Sequence, residues 1–227
     1  MLDLPVLNNT MRECGFKLPR TDNIGRSGDW QDLYYLTDYL TFVLDRHYES
    51  QPCKAGCSSC CRENTVFRVT ASEWAIVREY LECADPALVK GILVRTEELY
   101  GPYLEQLRQV AKNWQESPDF DAVNLGLDGL PTGCPALEGD NCGIYDARPL
   151  VCRAYGYMAA KIRGKESLLI CKTYGEGFIA GLREQGFDNI PLPNFEPFAN
   201  RLTALDGGDE VKPLPLWLYE WGQAGVK

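Results

Sequence analysis

Four cysteines fall within nine residues of the chain, at Cys53, Cys57, Cys60 and Cys61. Cysteine is a small and mostly buried residue, and packing a core does not call for four of them in one loop. Thiolates two or three positions apart can turn from one loop toward one soft metal centre. The segment therefore predicts a bound metal ion or iron–sulfur cluster.

A second group of cysteines follows, at Cys134, Cys142, Cys152 and Cys171. The run Glu138-Gly-Asp-Asn141 consists of turn-forming residues, so the cysteines on either side of it are predicted to flank a tight turn and approach each other. Asp146 can cap a helical turn that begins at Ala147. Cys152 would then lie about one turn into that helix, where the helix dipole lowers the pKa of a thiol and favours a metal-bound thiolate.

The two groups together resemble a known family. The run Cys-x3-Cys-x2-Cys-Cys, followed by Cys-Pro, Cys-x-Ile-Tyr and Arg-Pro-x-x-Cys-Arg-x-Tyr-Gly, is similar to the YkgJ-type cysteine-cluster family of zinc- or iron-chelating domains. The resemblance covers residues 53–171, and it departs from many members in the first spacing, which is Cys-x3-Cys here and Cys-x2-Cys there. Some relatives are iron–sulfur lysine N-methylases that act on flagellin.

The resemblance implies a set of eight metal ligands: Cys53, Cys57, Cys60, Cys61, Cys134, Cys142, Cys152 and Cys171. Eight thiols could fill two four-thiolate sites, or one site with four thiols left over. Side chains of adjacent residues are expected to diverge, so Cys60 and Cys61 would serve two sites, or one of them is not a ligand. Four sulfur ligands suit zinc and iron–sulfur clusters equally. We expect an iron–sulfur cluster of the 4Fe–4S type, or zinc.

Three arginines lie beside these cysteines: Arg62, Arg148 and Arg153. A four-thiolate centre is anionic, and nearby guanidinium groups would offset its charge and donate hydrogen bonds to sulfur. Ordinary surface arginine is the alternative interpretation. Cys14 and Cys83 stand apart from the other thiols, and Cys83 is predicted to be a buried free thiol.

Composition limits the remaining possibilities. The formal net charge is −9, which disfavours a nucleic-acid partner because phosphate binding needs a concentrated basic face. The N-terminal residues lack a secretory pattern and no apolar run has the length of a membrane span, so we expect a cytoplasmic protein with no membrane partner. Ten cysteines in that reducing compartment indicate metal ligation more than disulfides.

Most of the segments around the cysteines have the apolar periodicity of helices. An amphipathic helix is predicted from Asp29 to Tyr48, a strand near 65–69, and a capping box at Thr70 and Glu73. Gly101-Pro102 should break the long helical pattern of 86–116. The prediction is a mainly α fold with a few short strands, a single domain over residues 1–227. Its cysteine-cluster core would be 53–171, between helical flanks at 1–52 and 172–227.

Two classes of function remain open at this point. The first is a metal-binding protein that holds zinc or an iron–sulfur cluster. The second, implied only by the resemblance, is a protein lysine N-methyltransferase-like enzyme, which would add S-adenosylmethionine and a protein substrate as partners. The spacing Cys53-x3-Cys57-x2-Cys60 also matches the radical-SAM signature, but that family needs a β/α barrel that the helical pattern does not provide. The residues do not decide whether the protein is an enzyme.

Overall fold

The computed structural model describes residues 20–47, 56–64, 66–116, 126–162, 165–170, 172–184, 186 and 192–225. Helices dominate these residues, and the strands among them form two-stranded pairs only. This agrees with the mainly α prediction. No helix within the described residues is long and apolar enough to cross a bilayer.

The chain divides into two compact units, and each is described by itself. The first unit comprises Met1–Lys54 and Cys152–Gly207, and the second comprises Ala55–Val151 and Gly208–Lys227. The single-domain organisation expected from the sequence stays a prediction.

The second unit begins its regular structure with helix α2, Ser59–Glu63, strand β1, Arg68–Thr70, and helix α3, Ala71–Cys83. The hydroxyl of Thr70 accepts a hydrogen bond from the Glu73 backbone, and the Glu73 carboxylate accepts one from the Thr70 backbone. This reciprocal pair is the predicted capping box, and it satisfies two backbone donors that the helix start would otherwise leave unpaired.

Helix α4, Pro86–Tyr100, and helix α5, Leu104–Glu116, follow in the second unit. Asp85 starts α4 by accepting a hydrogen bond from the Ala87 backbone, with Pro86 in the first turn. A short 3-10 turn, Gly101–Tyr103, separates the two helices. The predicted break at Gly101-Pro102 is confirmed, because proline lacks the N–H that a continuous helix needs.

The C-terminal part of the chain completes the second unit. Strand β6, Val211–Pro213, pairs antiparallel with β1, with Val69 opposite Lys212. Helix α9, Leu214–Gln223, follows. The indole N–H of Trp217 donates to the Val69 carbonyl at 3.0 Å, and the Trp217 ring stacks on Trp74 with centroids 5.6 Å apart. The last helix is therefore fixed to the strand that precedes α3.

A small hairpin of strands β2, Leu137–Glu138, and β3, Asn141–Cys142, also belongs to the second unit. It packs on a core that α3, α4 and α9 supply, and Cys134 and Cys142 lie at the partly buried edge of that core. The buried members of the cluster are Val69, Trp74, Val77, Leu81, Val89, Ile92, Ala136, Ile144, Ala147, Leu214, Trp217 and Leu218. The hairpin thus brings two cysteines against a rigid helical surface.

The first unit contains helix α1, Leu33–His47, the hairpin of β4, Ala159–Ile162, and β5, Lys165–Leu168, helix α7, Lys172–Glu184, and helix α8, Glu196–Asp206. Val43, Leu44 and Leu182 form one of its apolar clusters. In the sequence, the short helix α6, Leu150–Ala154, follows β3 and precedes β4.

Helix α1 starts later than the pattern predicts, at Leu33 and not at Asp29. The cause is Asp32, whose buried carboxylate accepts backbone hydrogen bonds from Gly25, Gly28 and Tyr34. Burial opposes ionisation of this carboxyl group, but the backbone donors outweigh it and lower the pKa of Asp32. The residues before Leu33 therefore form a loop closed on one carboxylate.

Candidate metal centre

Helix α2 brings two adjacent thiols together. The Sγ atoms of Cys60 and Cys61 lie 3.9 Å apart, and both residues are half-buried. Their side chains therefore do not diverge, which differs from the expectation for neighbouring residues. The helix lasts little more than one turn and ends where the Asn64 side chain donates to the Cys60 carbonyl at 2.8 Å. Cys57 lies just before it and is also half-buried.

The second cysteine segment runs directly along the first. The backbone N–H of Cys134 donates to the Cys61 carbonyl at 2.7 Å, and that of Gly133 donates to the Asn64 carbonyl at 3.0 Å. The buried hydroxyl of Tyr100 donates to the Gly133 carbonyl at 2.7 Å and holds this segment from the side of α4. Main-chain hydrogen bonds thus fix Cys134 beside the vicinal pair.

The hairpin positions Cys142 as predicted, with Cys134 before the turn and Cys142 after it. Leu137 pairs with Cys142, and the backbone N–H of Gly143 donates to the Ala136 carbonyl at 2.8 Å. Gly143 also lets α4 approach closely, because a Cβ there would lie 2.9 Å from Leu88 Cδ1. The predicted tight turn is confirmed, and a glycine permits its packing.

Arg62 connects the hairpin to α2. Its guanidinium donates to the Gly139 carbonyl at 2.7 Å and to the Asp140 carboxylate at 2.9 Å, and its Nε donates to the Ser58 hydroxyl at 3.0 Å. Hydrogen bonds from Arg62 and Ser58 lower the pKa of the exposed Asp140. The structure thus places Arg62 on the turn between two cysteines, where it holds one cysteine segment to the other.

The four thiols of α2 and the hairpin influence one another. The hydrogen bond with Cys61 lowers the pKa of Cys60 to about 7, against the effect of burial, and the charge of Arg148 contributes. Burial raises the pKa of Cys134 to about 12, and the charges of Cys142 and Cys60 raise it further. Burial also raises the pKa of Cys142. One thiol of the group is thus readily ionised, and two resist ionisation while no cation is bound.

The donors of this group are soft sulfur atoms, which is the chemistry that zinc and iron–sulfur centres require. Within the described ranges, however, no three Cys, His, Asp or Glu side chains converge closely enough to hold a metal ion. Cys53 and Cys171, two of the expected ligands, lie outside the described residues, as does Cys14.

Cys152 lies in α6, in the first unit, and is half-buried. The helix begins at Leu150, so Asp146 does not cap it as predicted. The buried carboxylate of Glu73 accepts the hydrogen bond of the Leu150 backbone instead, at 2.7 Å. Cys152 is therefore within the first turn of a short helix, closer to the helix start than the sequence suggested.

The other two predicted arginines have different surroundings. Arg148 lies over the ring of Tyr145, 4.1 Å from its centroid, and its charge lowers the pKa of both Cys60 and Cys142. Arg153 is buried in the first unit, where it forms an ion pair with Asp38 and lies 4.2 Å from the Tyr34 ring centroid. Of these two arginines, Arg148 is the one whose charge acts on the thiols, and its role beside a metal stays a prediction.

Sequence reasoning missed Arg95, which lies on α4. Its Nε donates to the Pro135 carbonyl at 3.0 Å, next to Cys134, and its charge lowers the pKa of that thiol. A signal for it exists in the apolar stripe of α4, because Arg95 follows Leu88 and Ile92 at helical spacing. A charged residue in a stripe that faces the core needs a buried partner.

Cys83 is exposed at the end of α3, so the prediction of a buried thiol is wrong. Apolar periodicity places Trp74, Val77 and Leu81 on the inner face of α3, and Cys83 lies off that face. The seven described cysteines are all free thiols.

A family model matches residues 52–172, more than half of the chain, and is described as CxxCxxCC, "putative zinc- or iron-chelating domain". The protein belongs to the CxxCxxCC family. Membership supports metal binding, and it agrees with the resemblance seen in the cysteine spacing. The matched region of this CxxCxxCC protein includes α2, the hairpin, Arg95 and Arg148. No significant match exists among curated proteins or among solved structures.

Proposed function

We propose that this CxxCxxCC protein holds a zinc or iron centre through cysteine thiolates, and that Cys60 and Cys61 bind the same metal atom. The observation that carries the proposal is the separation of 3.9 Å between their Sγ atoms. Two thiolates on one tetrahedral zinc ion, at Zn–S of about 2.3 Å, lie about 3.8 Å apart. The vicinal pair is thus already spaced as two ligands of one ion.

The distance between the two Sγ atoms helps to distinguish a single metal ion from the two types of iron–sulfur cluster. A single tetrahedral ion takes all four thiolates, and a 2Fe–2S cluster takes two on each iron. A 4Fe–4S cluster shares four cysteines among four irons, so each iron takes one. The vicinal pair favours a single ion or a 2Fe–2S cluster, and the 4Fe–4S type expected from the sequence becomes the alternative that spectroscopy distinguishes.

Cys134 and Cys142 are the proposed remaining ligands. The backbone hydrogen bond from Cys134 to Cys61 joins the first of them to the vicinal pair, and the hairpin places Cys142 after the turn that follows Cys134. Burial raises the pKa values of Cys134 and Cys142, and repulsion by neighbouring thiolates raises them further. A cation removes that repulsion, so metal binding should be coupled to closure and stabilisation of the site. Cys53, Cys57, Cys152 and Cys171 remain predicted ligands of this or a second site.

The family match supports metal binding and no other function. The family description names chelation and no reaction. S-adenosylmethionine and a protein substrate have no support beyond the resemblance to methylating relatives, and a methyltransferase or radical-SAM activity is not part of the proposal. The cytoplasmic location likewise stays a prediction.

Single-cysteine variants test the proposal. Full-length Cys60→Ser, Cys134→Ser and Cys83→Ser proteins are purified without oxygen, and zinc and iron per chain are measured by elemental analysis. Cys60→Ser and Cys134→Ser should lose at least half of the bound metal, because serine is a poor ligand for a soft centre. Cys83→Ser should match the unmodified protein. Full metal content in all three variants would refute the assignment.

A further inference from the structure

We propose that Arg95 is a positioning residue of the metal centre, a fixed cation that offsets the negative charge of the thiolates. The inference rests on the proposed function. Four thiolates around one divalent ion leave about two net negative charges, which protein groups nearby must balance. Arg148 is one cation near the thiols, in the loop before α6, and Arg95 supplies the second from α4.

The backbone of α4 fixes where Arg95 lies. The hairpin packs on this helix so closely that a Cβ at Gly143 would lie 3.4 Å from Ile92 Cδ1. Arg95 follows Ile92 by three positions and therefore faces the same side of α4. Its Nε donates to the carbonyl of Pro135, the residue after Cys134, at 3.0 Å. One contact thus ties the guanidinium to the segment that carries a proposed ligand.

One nitrogen of the Arg95 guanidinium indicates a missing partner. Its Nη2 atom is buried and has no hydrogen-bond partner among the residues that the structure describes. Buried donors are nearly always paired, and an unpaired group on a cation is especially unfavourable. An anion beside Nη2 would complete its surroundings. The thiols that include Cys134 are the nearby source of negative charge, since the same guanidinium donates to Pro135, the residue after Cys134.

Arginine suits this position better than lysine does, because the position calls for both a charge and hydrogen bonds in two directions. Its guanidinium is planar and permanently charged, so Nε can bind a carbonyl while another N–H faces a sulfur ligand. Such outer partners orient ligands and adjust their electron density without touching the metal. The expected consequence is a change in metal affinity and in the electronic spectrum when the charge is removed.

The test uses Co²⁺ as a spectroscopic probe in the metal-free full-length protein. Affinity comes from competition with a chelator, and the energy of the thiolate-to-cobalt charge-transfer band reports electron density on sulfur. The variants are Arg95→Gln, which keeps an N–H donor without charge, and Arg95→Lys, which keeps the charge. Arg78→Gln is the control, because Arg78 is exposed on α3 and paired with Glu82.

The proposal predicts that Arg95→Gln binds Co²⁺ about 10-fold more weakly, with the charge-transfer band shifted to lower energy. Arg95→Lys should recover most of the affinity and the band position, and Arg78→Gln should match the unmodified protein. Equal affinity and spectrum in Arg95→Gln would overturn the role of Arg95 and leave the metal site standing. Equal weakening in both Arg95 variants, with unchanged bands, would also overturn it, since that pattern marks a packing role. Failure of the unmodified protein to bind Co²⁺ would overturn the proposed function, and the inference with it.

Discussion

The backbone N–H of Cys134 donates to the carbonyl oxygen of Cys61 at 2.7 Å. The bond joins the two cysteine-rich segments of the chain. In the sequence, α3, α4 and α5 lie between these segments. Because it involves main-chain atoms, it joins the backbones of both segments whatever the protonation of their thiols. The segments that carry the proposed ligands are thus held together by backbone hydrogen bonding without a metal.

Gly143→Ala should destabilise the protein by about 1–3 kcal/mol, because a Cβ would lie 2.9 Å from Leu88 Cδ1 and 3.1 Å from the Ala136 carbonyl oxygen. The leucine side chain can move, but the carbonyl belongs to the hairpin that carries Cys142. Urea unfolding of the metal-free protein measures the effect. Gly177→Ala is the control, because nothing lies within 4 Å of its Cβ in α7. Equal midpoints for Gly143→Ala and the unmodified protein would contradict the close packing described.

Glu73→Gln should reduce the free energy of unfolding by about 1–3 kcal/mol. The two carboxylate oxygens of Glu73 accept hydrogen bonds from the Thr70 and Leu150 backbones, and an amide can replace only one of these acceptors. Chemical denaturation compares this variant with Glu79→Gln, whose side chain is exposed on the same helix. If both variants are equally stable, Glu73 does not link α3 to the start of α6 as described.

Cys60 should react with iodoacetamide at neutral pH in the metal-free protein. Its hydrogen bond with Cys61 lowers its pKa from 9.0 to about 7, so the labelling rate should rise with pH and reach half of its maximum near pH 7. Peptide mapping by mass spectrometry follows each thiol separately. Cys134, whose pKa burial raises to about 12, should stay unlabelled over the same range.

The matched variant for this prediction is Cys61→Ser. Loss of the thiol partner should move the labelling midpoint of Cys60 toward higher pH. A midpoint near 9 in both proteins would show that the vicinal pair does not share a hydrogen bond.

Arg62→Gln should raise the pKa of Asp140 toward its ordinary value of 3.8, because the hydrogen bond and charge of Arg62 lower it. The pKa is read from NMR chemical shifts during an acid titration, with Arg78→Gln as the control. An Asp140 titration that is the same in all three proteins would mean that Arg62 does not hold the hairpin turn in solution.

Local signals in the sequence predicted much of what the structure has. Thr70 and Glu73 are spaced as a capping box, and Gly101-Pro102 interrupts a helix, because both effects depend on a few neighbouring residues. The turn between Cys134 and Cys142 follows from its own residues in the same way. These features required no knowledge of tertiary contacts.

Long-range pairing accounts for what the sequence did not predict. Nothing local in Val211–Pro213 indicates that it pairs with Arg68–Thr70. Arg95 lies outside the cysteine motif, and only the packing of α4 on the hairpin brings it to Cys134. The orientation of Cys60 relative to Cys61 depends on the short helix α2, which ends at the Asn64 contact. Each of these depends on residues distant in sequence or on exact side-chain direction.

The most direct test of the account is the metal content of the full-length protein purified without oxygen, measured by elemental analysis together with its optical spectrum and free thiol count. We expect zinc or iron bound to the chain, and at least four thiols that become titratable only after the metal is removed. We also expect a lower melting temperature after chelation, because metal-binding energy adds to the stability of the folded state. Protein that contains neither zinc nor iron, with all of its thiols titratable from the start, would contradict this expectation.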